Sequence, residues 1–136
     1  MTAGVPELAR YRLARARQAM TEGATLLGAD AAVGAVNRFY YAAFYAARAL
    51  LAVKEVDSSK HSGVIALFQQ HYVKTGLLAP EIARVLPRTF EKRLNSDYED
   101  FAELSAADAR AVHVEVESFV AACERLLAAL LAAPPC

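Results

Sequence analysis

The 136 residues are 56% hydrophobic, weighted toward alanine, and carry 15 basic residues against 15 acidic ones. That length sets one domain able to bury its own core without disulfide or metal staples, and the zero net charge excludes a protein that coats polyanions over its whole surface. Charge is graded along the chain, with seven basic and three acidic residues over 1–54, six and five over 55–98, and two and seven over 99–136. An N-terminal half that attracts phosphate and a C-terminal helix that repels it describe an oriented surface, or else ordinary solvated faces.

Alanine is the strongest helix former, and period-two runs of β-branched and aromatic residues are absent, so the composition reads as all-α. The first helix runs from about Pro6, a favourable first-turn residue, to Leu27, and Gly28 ends it. Asp30 is the expected N-cap of a second helix reaching about Val53. After the polar loop KEVDSSK (54–60), a third helix covers about His61 to Lys74 and closes at Gly76. The fourth spans about Pro80 to Asn95, where Pro87 predicts a kink or two short helices. The fifth opens at Ser105 with Asp108 three residues on, a capping-box-like start. Its stripe of Val112, Val116, Phe119, Val120, Cys123, Leu126, Leu127 and Leu130 faces a core. Short connections favour antiparallel neighbours. The expected architecture is therefore an up-and-down helical bundle of about five helices in one domain, with a core over about 6–131 and a tail at 132–136.

Cys123 lies on the apolar face of the fifth helix and Cys136 ends the sequence. With no CxxC pair, neither is expected to bind metal or form a disulfide. The start lacks an apolar signal core and no stretch runs eighteen apolar residues without charge, so the expectation is a cytoplasmic protein with no membrane partner.

The segment NRFYYAAFYAARALL (37–51) carries the strongest local signal. On a helical wheel of about 100° per residue, Val36, Phe39, Tyr40, Ala43, Phe44, Ala47, Leu50 and Leu51 share a core-facing arc. Arg38, Tyr41, Tyr45 and Arg48 form a separate stripe of guanidinium groups interleaved with phenols. Such a stripe offers phosphate contacts and stacking surface together, although boundary tyrosines with wet hydroxyls give the same pattern.

NRFYYAAFYAARALLAVK (37–54), KHSGVIALFQQHYVKTGLL (60–78) and RTFEKRLNSDYEDF (88–101) together resemble the HEPN domain family. More closely they resemble its small stand-alone prokaryotic members, often encoded beside minimal nucleotidyltransferases. The resemblance extends over roughly residues 30–130, in the same order and spacing. It implies an HEPN-like bundle that dimerises around a polar cleft, often as half of a toxin–antitoxin pair, the active members being metal-independent ribonucleases. The family's catalytic motif places a histidine after an arginine with four to six residues between them. Here Arg93 is followed by Tyr98 at the shortest spacing, and Arg110 lies too near His113 to serve. Histidine exchanges a proton near neutral pH, whereas tyrosine titrates near 10, so the family's chemistry does not transfer directly. RLNSDY does resemble an Arg-x-x-x-Asp-Tyr variant of this branch, making Arg93, Asp97 and Tyr98 the candidate catalytic residues.

Lys60, His61 and Gly63 match a basic-His-x-Gly pattern in the resembling sequences, at the start of the third helix. Helix N-termini favour anions, so Lys60 and His61 join Arg38, Tyr41 and Tyr45 as candidate phosphate ligands; capping or plain surface exposure is the alternative for His61. His71 reads as a packed histidine, and His113, one turn from Glu117, as half of a surface ion pair. No HxxxH, HExxH, glycine-rich phosphate loop or GxSxG is present, so no cofactor or metal is expected. Arg10, Arg12, Arg15 and Arg17 crowd the first helix, where long stems covering apolar surface explain them as well as RNA binding does.

Three functions remain in view. The first is a nucleotide- or RNA-binding component of a nucleotidyltransferase-linked pair, with Tyr98 a possible acceptor of a transferred nucleotidyl group. The others are an endoribonuclease using Arg93 with a non-histidine base, and a purely structural interaction domain. A homodimer is expected in each case, and no DNA partner.

Overall fold

The computed structural model describes the backbone of residues 1–98 and 104–133, and side chains up to Asn95 and from Leu104 to Ala133. Six α-helices lie among the described residues: α1 (Val5–Gly28), α2 (Ala32–Val53), α3 (His61–Phe68), α4 (Pro80–Ala83), α5 (Val85–Tyr98) and α6 (Ala106–Ala132). No strand occurs among those residues. The chain is all-α, as its composition and periodicity require.

The second helix is the axis of the bundle. It packs against α1, α3, α5 and α6, and Ala35, Ala42, Ala43, Ala46, Ala47 and Ala49 are fully buried on it. A helix apolar nearly all round is one surrounded by its neighbours, and alanine lets their backbones approach closely. Phe39, Tyr40, Leu50 and Leu51 fill the remaining space, against Phe68, Tyr72, Leu86 and the Val112–Val116–Phe119–Val120–Cys123–Leu127 face of α6. Burial pushes the Cys123 thiol well above its ordinary pKa, leaving an inert core residue.

Several boundaries differ from the expected ones, each for a local reason. Asp30 does not cap α2. It takes a left-handed φ of 59° in the turn after α1, where the amide of Ala31 bonds Leu26 O at 2.9 Å, a conformation Asp tolerates better than most residues. The third helix is α-helical only to Phe68. Gln69–Val73 forms a π-helical turn, with the Lys74 amide bonding Gln69 O at 2.9 Å, and the Tyr72 hydroxyl donates to Leu50 O on α2. The two helices expected around Pro87 are present, but the break lies three residues before the proline. The chain interrupts between α4 and α5 at Arg84, which puts Pro87 in the first turn of α5, where its missing N–H costs no helical bond. The α6 capping box forms in full: the Asp108 amide bonds Ser105 Oγ at 3.0 Å, and the Ser105 amide bonds Asp108 Oδ2 at 3.2 Å.

Glu117 does not pair with His113. Arg17 bonds both Glu117 carboxylate oxygens, at 2.7 and 2.8 Å, and also Glu124, tying α1 to α6. His113 instead stacks flat on Phe39, with centroids 4.7 Å apart.

Gly23 on α1 faces that same Phe39 ring, and a Cβ there would lie 2.5 Å from Phe39 Cε1. With His113 stacked on the ring, it has little room to yield. Gly23→Ala gains about 1 kcal/mol of helix propensity but overpacks the core at a cost of about 1–3 kcal/mol. The expected outcome is net destabilisation of about 1 kcal/mol in urea unfolding. Gly28→Ala, where a Cβ meets nothing within 4 Å, should stay within about 0.5 kcal/mol of the wild type.

Candidate functional site

Three elements converge beside the aromatic flank of α2. The α2 helix contributes Tyr41. The α3 N-terminus brings Ser59, Lys60, His61 and Ser62, and α5 brings Phe90, Arg93 and Leu94. Together they line a cleft of about 480 Å³. A groove of about 400 Å³ between α1 and α6 is mainly leucine and alanine, with Arg10 and Glu124 in its lining. The α2–α3–α5 cleft gathers Lys60, His61 and Arg93 beside two aromatic rings.

The entry to α3 is locally specified. Asp57 accepts from Arg48 at 2.7 Å and from Arg12 at 3.3 Å, and its Oδ1 accepts from the Ser58 amide at 2.8 Å. Burial works to raise the Asp57 pKa, but Arg48, the Ser58 amide and Arg12 together hold it below the usual carboxylate value. The loop between α2 and α3 is thus moored to two arginines. Gly63 lies so close to Ser58 that a Cβ would meet its Oγ at 2.0 Å, which explains a glycine two residues after His61. Lys60 is the N-cap residue in extended conformation, and no side chain caps the helix, so the first amides of α3, in the segment that lines the cleft, keep their partial positive charge.

His61 is held on two sides. Its ring stacks on Phe44 at 4.4 Å and its Nδ1 lies 2.7 Å from the Tyr40 hydroxyl, while the residue also lines the cleft. Burial, then the positive charges of Arg93 and Arg48, lower its pKa below 6.5, so the imidazole is neutral at neutral pH. The Arg93 guanidinium lies 5.6 Å from the Tyr40 ring centroid and 5.5 Å from that of Tyr41, within cation–π range. Burial raises the Tyr40 pKa, and Arg93 only partly opposes it; the phenol stays protonated.

The structure brings Arg93, Tyr41, Lys60 and His61 into one cleft. It places Tyr45 and Arg38 elsewhere. Tyr45 accepts a bond from Arg15 at 3.1 Å, and the Arg15 guanidinium lies 4.9 Å from its ring centroid. Arg38 pairs with Glu22 at 3.1 Å and lines a separate groove with Thr21, Thr25 and Leu26, although its guanidinium stays 5.4 Å from the Tyr41 ring centroid. The α5 backbone carries Asp97 and Tyr98 one turn beyond Arg93, but their side chains lie outside the described residues. Sequence reasoning missed Tyr40, Phe44 and Phe90. Tyr40 fell in the core arc, and its only distinguishing signal was a hydroxyl among otherwise apolar positions, which a buried tyrosine must satisfy. Among the described residues no group of three His, Cys, Asp or Glu side chains is placed to hold a metal, and no helix is long and apolar enough to cross a membrane.

Residues 9–126 match the HEPN domain family. A Thermotoga maritima protein named UPF0332 is 36% identical over 121 residues, covering 89% of this chain and 92% of its own length. Two Methanocaldococcus jannaschii proteins named "Putative toxin" are also similar. One is 32% identical over 71% of this chain and 72% of its own length. The other is 36% identical over 55% of this chain and about half of its own length.

The electrostatics of the cleft give a pH signature. Native His61 binds fewer protons than unfolded His61 between its lowered pKa and 6.5. Its contribution to stability is therefore whole above that window and is lost as pH falls through it. An NMR titration of the imidazole should give a midpoint below 6.5, and Arg93→Ala should move that midpoint upward.

Proposed function

The chain belongs to the HEPN domain family, and on that premise we propose that the α2–α3–α5 cleft binds the phosphate of a nucleotide or of single-stranded RNA. Lys60 and Arg93 supply positive charge. The first amides of α3 supply fixed donors, and Tyr41 and Phe90 supply faces on which a base can stack. The observation that carries this reading is the convergence of Lys60, His61 and Arg93 on one cleft beside aromatic rings. Arg12, Arg17, Arg38 and Arg48 lie outside that lining and form ion pairs within the fold. The wider proposal is that this homodimeric module is the binding half of a toxin–antitoxin-like pair with a small nucleotidyltransferase, for which Tyr98 is the nucleotidyl acceptor. The toxin names of two relatives support the setting.

One observation favours a second reading. A histidine stands beside Arg93 after all, contributed by α3 rather than by the Arg93 motif. In a metal-independent ribonuclease, Arg93 would stabilise the charged phosphorane and His61 would move the protons.

Fluorescence anisotropy with a labelled eight-nucleotide oligouridylate tests the binding reading. The expected result is salt-sensitive binding, weakened about tenfold (~1.4 kcal/mol) by Lys60→Ala or Arg93→Ala and unchanged by Arg10→Ala on the exposed face of α1. The oligomer should be recovered intact. Binding indifferent to both cleft variants but lost in Arg10→Ala would move the site to α1.

A further inference from the structure

The contact between Tyr40 and His61 does more than brace the cleft. Tyr40 is fully buried, and His61 Nδ1, at 2.7 Å, is the one hydrogen-bond partner of its hydroxyl among the described residues. Two arrangements satisfy that distance. In one, the phenol donates to an unprotonated Nδ1. In the other, Nδ1–H donates to the phenol oxygen, and the phenolic proton must find a second acceptor, which no described residue provides. A buried donor without an acceptor is costly, so the first arrangement is favoured.

The charges around His61 favour the neutral ring that this arrangement needs. Tyr40, Tyr41 and Arg48 face it from α2, Lys60 from the entry of α3, and Arg93 from α5. Among the described residues, none of these groups is an anion that would stabilise a doubly protonated imidazolium. A neutral ring with an acceptor at Nδ1 must carry its single proton on Nε2. Nδ1 is taken up by Tyr40, Nε2 is the other ring nitrogen, and His61 is among the residues that line the cleft.

We infer that Tyr40 is a positioning residue that locks His61 in the Nε2–H tautomer, so that the cleft is offered a neutral hydrogen-bond donor and not a base. For the ligand this rests on the phosphate-binding reading above, which it sharpens. A neutral N–H suits an oxygen with lone pairs only, as on a phosphate. It cannot accept the proton of a ribose 2′-hydroxyl, the step with which a ribonuclease reaction would begin. The locked tautomer therefore separates binding from cleavage at the same residues: Lys60, Arg93 and His61 hold the phosphodiester, and the 2′-oxygen stays protonated and unreactive.

The test is nitrogen-15 NMR of the His61 ring at neutral pH, in the full-length wild-type protein and in Tyr40→Phe. Wild type should show a protonated Nε2 and an unprotonated Nδ1. Tyr40→Phe should give a mixture of both tautomers while the rest of the amide spectrum is retained, a change that loss of packing alone would not produce. Adenosine 5′-monophosphate should shift the wild-type Nε2 resonance and bind about threefold more weakly to Tyr40→Phe, the worth of one neutral hydrogen bond. A wild-type Nδ1–H ring, with Nε2 the acceptor, would overturn the inference and restore His61 as a base. An Nε2–H ring unmoved by saturating adenosine 5′-monophosphate would leave the lock standing but overturn its role as a phosphate donor, and with it the binding reading.

Discussion

The architecture depends on how completely α2 is enclosed. Alanines at nearly every angle let α1, α5 and α6 come close to it, and the larger side chains then have few directions left. Phe39, Leu50 and Leu51 point into the core. Tyr41, Tyr45, Arg38 and Arg48 lie at its edge, half-buried. Tyr40 is caught between these groups: its ring is core, but its hydroxyl cannot reach water. That unsatisfied donor is met by His61, which places the start of α3 against α2 and fixes one wall of the cleft. Packing around one helix thus determines where the polar residues gather.

The charge gradient along the chain is largely absorbed inside the fold. Acidic residues of α6 meet the basic face of α1 through Arg17, and Arg88 approaches Glu115 at 3.8 Å. Glu22 takes Arg38, and Asp57 takes Arg12 and Arg48. Such half-exposed pairs each add little stability. Their larger effect is on recognition, because they neutralise much of the basic surface that the sequence displays. Asp57 has a further role, since pairing it with two arginines moors the loop that presents Lys60 and His61.

Much of this was legible in the sequence. Alanine content and period gave the helices, Ser105 and Asp108 gave the capping box, and the basic-His-x-Gly segment together with Arg93 marked three residues, Lys60, His61 and Arg93, that meet in one cleft. What the sequence could not give were contacts set by tertiary distance. The helical wheel grouped Tyr41 with Arg38, Tyr45 and Arg48 because they share an angle on one helix. The partners of Arg38, Tyr45 and Arg48 come from α1 and from the loop after α2, which draw Tyr45 and Arg48 away from the cleft where Tyr41 stays. Asp30 was a sound N-cap by type, yet the turn needed a left-handed residue at that position. Tyr40 counted as core because a wheel assigns a whole side chain to one face and cannot treat the ring and the hydroxyl separately.

The central claim is that phosphate is bound between α2, the α3 N-terminus and α5. Amide chemical-shift mapping with a short single-stranded oligoribonucleotide addresses it most directly. The account predicts the largest perturbations at Ser59 to Gly63 and around Phe90 to Leu94, with the exposed arginine face of α1 unchanged. Perturbations confined to α1, or spread evenly over basic residues without a maximum at the cleft, would contradict it.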